Sequence, residues 1–129
     1  MEKLDKKSII GISALLVHAA NIDEIYSEHE KNLVKDFIKS YVKDDDVDQI
    51  LKKAEAIESS SNQLLNYTNI IKKNSIDIKK DIIEHLWKII ISDKTVDQYE
   101  SNLMRRVCGL IYFSDKECAE IKLRLLNNL

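Results

Sequence analysis

The sequence contains no proline and only two glycines, Gly11 and Gly109. Folds built from many short strands need frequent tight turns, and proline and glycine are the residues that most often form them. Their scarcity argues against a β-sandwich or a β-barrel. It favours an all-helical chain instead.

Cysteine is equally scarce. Cys108 and Cys118 are the only two, and no C-x-x-C pair is present. This is too few for a disulfide framework, and the spacing does not match a zinc or redox motif. Because neither has a catalytic base nearby in the sequence, we predict two small thiols that fill or border the core.

Neither sign of charge dominates, and no apolar run is long. The formal net charge is -2, so there is no basic field to attract a nucleic-acid backbone. The apolar runs fall short of the roughly 18 residues that suggest a membrane span. The first twenty residues contain the acidic side chains Glu2 and Asp5 and lack a signal cleavage site. We therefore expect a cytoplasmic protein with no nucleic-acid partner and no direct membrane insertion.

What the sequence does have is helical periodicity over one domain's length. Its 129 residues are 44% hydrophobic and 33% charged, which is enough for one core, so we assign residues 1–129 to a single domain. Apolar residues recur at helical spacing in about seven segments. Two of these segments are apolar around most of their circumference and are predicted to lie centrally. Their apolar residues are Ile9, Ile10, Ile12, Leu15, Leu16, Ala19 and Ala20, and Ile82, Ile83, Leu86, Trp87, Ile89 and Ile90.

Polar residues and glycine mark the expected helix ends. Asp46 is the predicted N-cap of the third helix, and Ser75 the predicted start of the fifth. Gly109 is predicted to close the sixth helix, since glycine readily adopts the left-handed conformation that ends helices.

An internal repeat relates residues 15–38 to residues 85–108, at an offset of 70 positions. The matching pairs are Leu16 with Leu86, Asp23 with Asp93, Glu30 with Glu100, Asn32 with Asn102, and Leu33 with Leu103. Each copy reads as a buried helix, a short loop containing an aspartate, and a second amphipathic helix. The repeat predicts a pseudo-twofold bundle of helical hairpins.

The acidic residues of these loops allow two interpretations. Ser27 with Glu30 and Asp97 with Glu100 both fit the capping box, and Ser114 with Glu117 fits it again. Capping does not explain Asp23 and Asp93, which precede the caps by four residues and could simply stabilise turns. Alternatively, the two loops converge into a weak site for a divalent cation such as calcium or magnesium. Its ligands would be Asp23, Glu30, Asp93, Asp97 and Glu100.

The double arrangement of apolar helix, aspartate loop and Ser/Asp-x-x-Glu helix start resembles the TerB-like family, named for tellurite resistance. "ISDKTVDQYESNLMRRVCGLIYFSDKE" is the best-matching segment, and "NIDEIYSEHEKNLVKDFI" is the matching first copy. The chain is similar also to the helical domain ahead of some J-domain co-chaperones, although without proline it has no His-Pro-Asp motif.

This resemblance implies an all-helical domain with internal pseudo-symmetry and an acidic surface that binds divalent cations in some members. It also implies a role in stress-response or membrane-associated assemblies, without catalysis. The chain departs from the family pattern at Glu24 and Lys94, which stand where the family has glycine after the aspartate. Neither residue enters a left-handed turn as cheaply as glycine does.

Other candidate sites are weaker. Asp81 and His85 share a helix face at a spacing that can serve zinc, but two ligands make no site, and we predict an exposed helical pair. His18 and His29 have no catalytic partner nearby in the sequence. Trp87 lies in an apolar stripe and is predicted to pack in the core. A helix-turn-helix reader is disfavoured because its second helix would present Glu28 and Glu30 to DNA.

We therefore expect a non-enzymatic helical module that binds protein partners, with weak divalent-cation binding at its paired acidic loops. Two alternatives stay open. A metal-dependent hydrolase would need a pocket and an open coordination position. A purely structural oligomerisation domain, such as a homodimer, would use surplus apolar residues within 121–129.

Overall fold

The computed structural model describes residues 5–21, 27–60, 64–91 and 98–127. This part of the chain forms seven α-helices, so the predicted all-helical class and the number of helices are confirmed. The helices are α1 (Lys6–Ala20), α2 (Glu28–Lys39), α3 (Asp44–Ser60), α4 (Leu64–Ile71), α5 (Ile76–Ile91), α6 (Gln98–Leu110) and α7 (Asp115–Asn127). No helix in these ranges is both long and apolar enough to cross a bilayer.

The two most apolar helices, α1 and α5, organise the bundle as predicted. Helix α1 packs against α2, α3, α4 and α5, and α5 packs against α1, α2 and α7. Ile12 and Leu16 of α1 and Ile82 and Leu86 of α5 are fully buried. Burying such a side chain contributes about 1.5–3 kcal/mol, so the contacts of α1 and α5 dominate the core.

Side-chain caps fix where several helices begin. The amide of Ser8 donates to Asp5 Oδ1 at 2.7 Å, and this caps α1. The amide of Ile78 donates to Ser75 Oγ at 3.3 Å, which confirms the predicted start of α5 at Ser75. The prediction for α3 was wrong, since this helix begins at Asp44 and Asp46 lies in its first turn. The amide of Asp46 is already bonded to the Lys43 carbonyl oxygen at 3.0 Å, so the acidic run lies inside the helix.

The end of α6 also differs from the prediction. Gly109 lies within the helix and does not have a positive φ, whereas Tyr112 does, at 59°. The amide of Phe113 donates to the Cys108 carbonyl oxygen at 2.8 Å, and that of Tyr112 to the Gly109 carbonyl oxygen at 3.4 Å. These two bonds form a Schellman motif with Tyr112 as its left-handed residue. Gly109 is therefore not the residue that closes α6.

The predicted repeat copies coincide with two helix pairs. Residues 15–38 include the last six residues of α1 and most of α2, and residues 85–108 include the last seven residues of α5 and most of α6. The matched residues Leu16 and Leu86 are both fully buried. The pseudo-twofold relation between the pairs stays a prediction.

Candidate functional site

Most of the predicted cation site lies outside the described residues. This is true of Asp23, Asp93 and Asp97, and of the side chain of Glu100, whose backbone lies in the first turn of α6. Glu30 is the predicted ligand whose carboxylate is described. The convergence of the two acidic loops therefore stays a prediction. Within the described ranges, no group of three or more His, Cys, Asp or Glu residues is placed to hold a metal ion.

Glu30 forms the predicted capping box with Ser27. The Glu30 amide donates to Ser27 Oγ at 3.1 Å, and the Ser27 amide donates to Glu30 Oε1 at 2.9 Å. The Glu30 residue is only 2% exposed. Its negative charge lies at the positive end of the α2 dipole, where a carboxylate is favoured. Capping alone thus gives Glu30 a structural role.

A groove between α5 and α7 is lined mainly by charged side chains. Its volume is about 460 Å³. The residues that line it are Lys80, Glu84, Glu117, Glu120, Ile121 and Arg124. The lining therefore holds three carboxylates, two cations and one apolar side chain, that of Ile121. The guanidinium of Arg124 lies 3.6 Å from Glu84 Oε1, in a partly exposed pair that stabilises the fold by little.

Glu117 carries an unusual feature of this groove. Its Oε2 atom is buried and has no hydrogen-bond partner among the described residues. The sequence predicts a capping box here, and the structure shows one of its bonds, from the Glu117 amide to Ser114 Oγ at 3.4 Å. A buried carboxylate oxygen without a donor is costly. A donor supplied by a ligand would remove that cost.

The Asp81–His85 pair is not the exposed pair that the sequence predicts. His85 is 7% exposed, and its ring packs edge-on against Phe37 of α2 with ring centroids 5.3 Å apart. The Tyr41 hydroxyl donates to Asp81 Oδ2 at 2.7 Å, and His85 Nδ1 lies 3.3 Å from Asp81 Oδ1. The pair belongs to a polar network between α2 and α5. The prediction failed because it used only the pattern of α5 and ignored what α2 brings against it.

The polar network between α2 and α5 shifts the pKa of the Asp81 carboxyl. Burial raises the pKa of Asp81, but hydrogen bonds from His85 and Tyr41 lower it, and the net effect places the pKa below its ordinary value. The charged form is therefore stabilised in the folded protein. This is the arrangement of a structural hydrogen-bond network, and it leaves Asp81 a poor proton acceptor.

A second histidine has a partner that the sequence does not reveal. His18 Nδ1 lies 3.4 Å from Glu58 Oε1, and the Asn21 side-chain amide donates to Glu58 Oε2 at 3.4 Å. Glu58 is 40 residues away, at the end of α3, so no local pattern could have indicated the contact. His29 is exposed.

The two cysteines are buried, as predicted, and the fold brings them together. Cys108 lies in the last turn of α6 and Cys118 in the first turn of α7, on either side of the turn that joins the two helices. The indole Nε1–H of Trp87, which is 4% exposed as its predicted core position requires, donates to Cys118 Sγ at 3.3 Å. The Lys122 ammonium lies 5.2 Å from the centre of the same indole ring. The ten-residue spacing was the only signal for this cluster in the sequence.

The two thiols are not equivalent. The hydrogen bond from Cys108 lowers the pKa of the Cys118 thiol, burial raises it, and the Trp87 N–H lowers it again, so that the net shift is downward. The pKa of the Cys108 thiol is raised by that hydrogen bond and by burial. Cys118 is therefore the sulfur that more readily carries negative charge.

Comparison with known proteins gives one result. The family model described as "Tellurite resistance protein TerB" matches residues 10–123. No curated protein and no solved structure shows a significant match. The matched range extends from the first helix to α7 and includes the capping box, both cysteines and every residue of the α5–α7 groove except Arg124.

Proposed function

Because the chain belongs to the TerB family of tellurite resistance proteins, we propose that it is a non-enzymatic cytoplasmic module of a stress response that acts by binding a protein partner. The family match supports the tellurite-resistance type. The α5–α7 groove supports a binding role, since it is concave, charged and built on two packed helices.

The observation that carries this proposal is the buried, unpartnered Oε2 of Glu117 beside the groove. Such an oxygen needs a hydrogen-bond donor, and the three carboxylates of the groove outnumber its two cations, Lys80 and Arg124. The chemistry that fits is a lysine or arginine side chain from a partner protein, because it supplies both donors and positive charge. Ile121 offers an apolar floor for the methylene stem of that side chain.

The experiment is a selection of peptides from a random library against the purified chain, followed by affinity measurement. We expect enriched peptides with a central lysine or arginine, and affinity that falls as salt rises. Glu117→Gln should weaken binding by about tenfold or more, since losing a charge-assisted hydrogen bond costs about 1.5–3 kcal/mol. Glu28→Gln, an equal change at the exposed start of α2, is the matched control. Peptides that bind both variants equally would refute the groove as the binding surface.

We also propose weak binding of a calcium or magnesium ion by Asp23, Glu30, Asp93, Asp97 and Glu100. All five side chains offer the hard oxygen ligands that these ions prefer, and Glu30 is placed at the start of α2 with its carboxylate already held by the cap. A bound cation would lower repulsion between the loops and alter the surface that a partner, including a membrane-associated assembly, contacts.

Glu30→Gln separates the two roles of this residue. Glutamine can still complete a capping box, but it does not carry the ligand charge. We expect saturable amide shifts on titration of the unmodified protein with calcium or magnesium. Glu30→Gln should bind the ion more weakly and lose only about 0.3–1 kcal/mol of stability, the contribution of its charge at the helix N-terminus. If alanine at both Asp23 and Asp93 left every ion titration unchanged, the cation part of the proposal would be wrong.

Two direct assays address the alternatives to a protein-binding module. A metal-dependent hydrolase would turn over a generic phosphoester when magnesium, manganese or zinc is added. A structural oligomer would grow in size with concentration and show no response to ions. Leu123 and Leu126 of α7 are exposed, and a homodimer would bury them. We expect no turnover, and we expect peptide binding to persist at dilutions where the chain is monomeric.

A further inference from the structure

The charges of the α5–α7 groove are distributed unevenly along its length, and two contacts establish their order. The Trp87 indole N–H donates to the Cys118 carbonyl oxygen at 3.1 Å. The Arg124 guanidinium lies 3.6 Å from Glu84 Oε1. As α5 runs from Glu84 to Trp87, its contacts on α7 therefore run back from Arg124 to Cys118. The two helices are antiparallel along the groove.

One end of the groove is acidic. Glu117 directly precedes Cys118, the residue that Trp87 contacts, and Glu120 follows Glu117 by three positions on α7. Both glutamates line the groove, and the Oε2 atom of Glu117 is buried without a hydrogen-bond partner among the described residues. The lining of this end therefore carries two negative charges.

The other end of the groove is basic. Arg124 follows Glu117 by seven positions in α7, which is about 10 Å along the helix axis. Lys80 precedes Glu84 by four positions in α5, so it lies about 6 Å beyond the Arg124–Glu84 contact, on the side away from Glu117. The two cations outnumber the one carboxylate here. The groove thus has opposite net charges at its two ends.

We propose that the groove binds an extended segment of the partner protein that carries a basic side chain and, about 10 Å away, an acidic side chain. This inference rests on the proposed binding function and adds the second charge and the orientation of the segment. The basic side chain donates to Glu117 Oε2, and the acidic side chain lies against Arg124 and Lys80. An extended chain advances about 3.3 Å per residue, so two side chains three positions apart have the required spacing.

The two cations of the basic end are accessible to such a carboxylate. The Arg124 side chain is 60% exposed, and only its Nη2 atom makes the contact with Glu84. A guanidinium has five N–H donors, so Arg124 can bind a second carboxylate without leaving the first. Lys80 is exposed as well. A segment with basic side chains alone would be repelled at this end, whereas a segment with both charges is attracted at both ends.

The test compares two synthetic probes by amide chemical-shift titration of the folded chain. One is acetyl-Gly-Lys-Ala-Ala-Glu-Gly-amide, and the other has glutamine in place of the glutamate. We expect the first probe to bind about two- to fivefold more tightly, the gain from a partly exposed ion pair. Lys80→Gln and Arg124→Gln should each reduce that gain. Lys53→Gln, an equal change at an exposed position of α3, is the matched control and should preserve it.

The direction of the Lys80→Gln effect distinguishes this segment from a purely basic one. If the groove bound only a cation, loss of Lys80 would relieve repulsion and strengthen the binding of both probes. We expect the probe with both charges to bind Lys80→Gln more weakly than the unmodified protein. Stronger binding of that probe, or equal affinity of the unmodified protein for the two probes, would overturn the inference and leave the cation site at Glu117 intact.

A separate result would overturn the proposed function itself. Probes that bind Glu117→Gln as tightly as the unmodified protein, or that cause no saturable shifts on α5 and α7, would exclude the groove as the binding surface. The inference about the second charge would then be wrong as well.

Discussion

The indole Nε1–H of Trp87 donates hydrogen bonds to two atoms of Cys118, the carbonyl oxygen at 3.1 Å and the sulfur at 3.3 Å. This pair joins α5, a central helix, to α7, which forms the other wall of the charged groove. The position of Glu117, the residue before Cys118, therefore depends on a contact in the core. The α5–α7 groove and the cysteines therefore meet on α7, where Glu117 lines the groove and Cys118 lies next to it in the sequence.

Trp87→Phe should destabilise the protein, because the smaller ring leaves a cavity and donates no hydrogen bond. We expect a fall of about 1–3 kcal/mol in the free energy of unfolding. Urea unfolding followed by circular dichroism measures it. Tyr112→Phe, at an aromatic residue that is 74% exposed, is the control and should change stability by less than about 0.5 kcal/mol. Equal effects at the two positions would contradict the role of the Trp87–Cys118 contact.

Tyr112→Gly should stabilise the protein. Tyr112 has a φ of 59°, and a non-glycine residue in the left-handed region costs about 1–2 kcal/mol. Part of the gain is lost because glycine makes the unfolded chain more flexible and because the Lys72 ammonium, 5.7 Å from the ring centre, loses its partner. Tyr112→Ala controls for the ring, since it removes the side chain but keeps the strain. Tyr112→Gly should exceed Tyr112→Ala in stability by about 1 kcal/mol in urea unfolding.

Gly109→Ala should also stabilise the protein. If Gly109 closed α6 in a left-handed conformation, alanine would instead destabilise it. The residue lies inside the helix, and a Cβ there would meet no atom within 4 Å. Alanine in such a position is favoured over glycine by about 0.5–1 kcal/mol. Thermal unfolding at neutral pH is a sufficient measurement. A clear loss of stability would mean that Gly109 needs a left-handed backbone after all.

Stability should depend on the ionisation of Asp81. Because its folded pKa lies below the ordinary value of 3.8, its contribution is present above that value and is lost as pH falls through the folded pKa. The stability difference between the wild-type protein and Asp81→Asn should therefore shrink between about pH 5 and pH 2. Tyr41→Phe, which removes one hydrogen bond, should reduce the same pH dependence. A difference that is constant across this range would show that the network does not favour the charged carboxyl.

The capping boxes should differ in strength. Ser27→Ala removes a hydroxyl that takes part in a complete box and should lower the free energy of unfolding by about 1 kcal/mol. Ser114→Ala removes an acceptor at 3.4 Å and should cost less. Urea unfolding of both variants gives the comparison. A larger loss at Ser114 would contradict the geometry of the two helix starts.

Features set by local sequence were predictable. The central position of α1 and α5 follows from apolar residues around most of each helix, which must avoid water on several sides. The box of Ser27 and Glu30 follows from a three-residue spacing, since both bonds form within one turn. The burial of Trp87 followed from the apolar stripe in which it lies. The burial of both cysteines was predicted because no motif or nearby base gave either thiol a reactive role.

Features set by packing between distant segments were not predictable. The environment of Asp81 and His85 depends on Phe37 and Tyr41, which α2 brings from some 40 residues away. The groove depends on how α7 packs against α5. Its charged residues form no motif in the sequence, so the groove could not be predicted from them. Tyr112 adopts the left-handed conformation because the chain must turn there to bury Phe113, although a glycine stands three positions earlier.

The measurement that tests the central claim most directly is an amide chemical-shift map of the folded chain with one selected lysine- or arginine-containing peptide. The account predicts saturable shifts at Glu84, Glu117, Glu120 and their neighbours on α5 and α7, and their loss in Glu117→Gln. Saturable shifts that avoid both helices, or that persist unchanged in Glu117→Gln, would contradict a binding site in the α5–α7 groove.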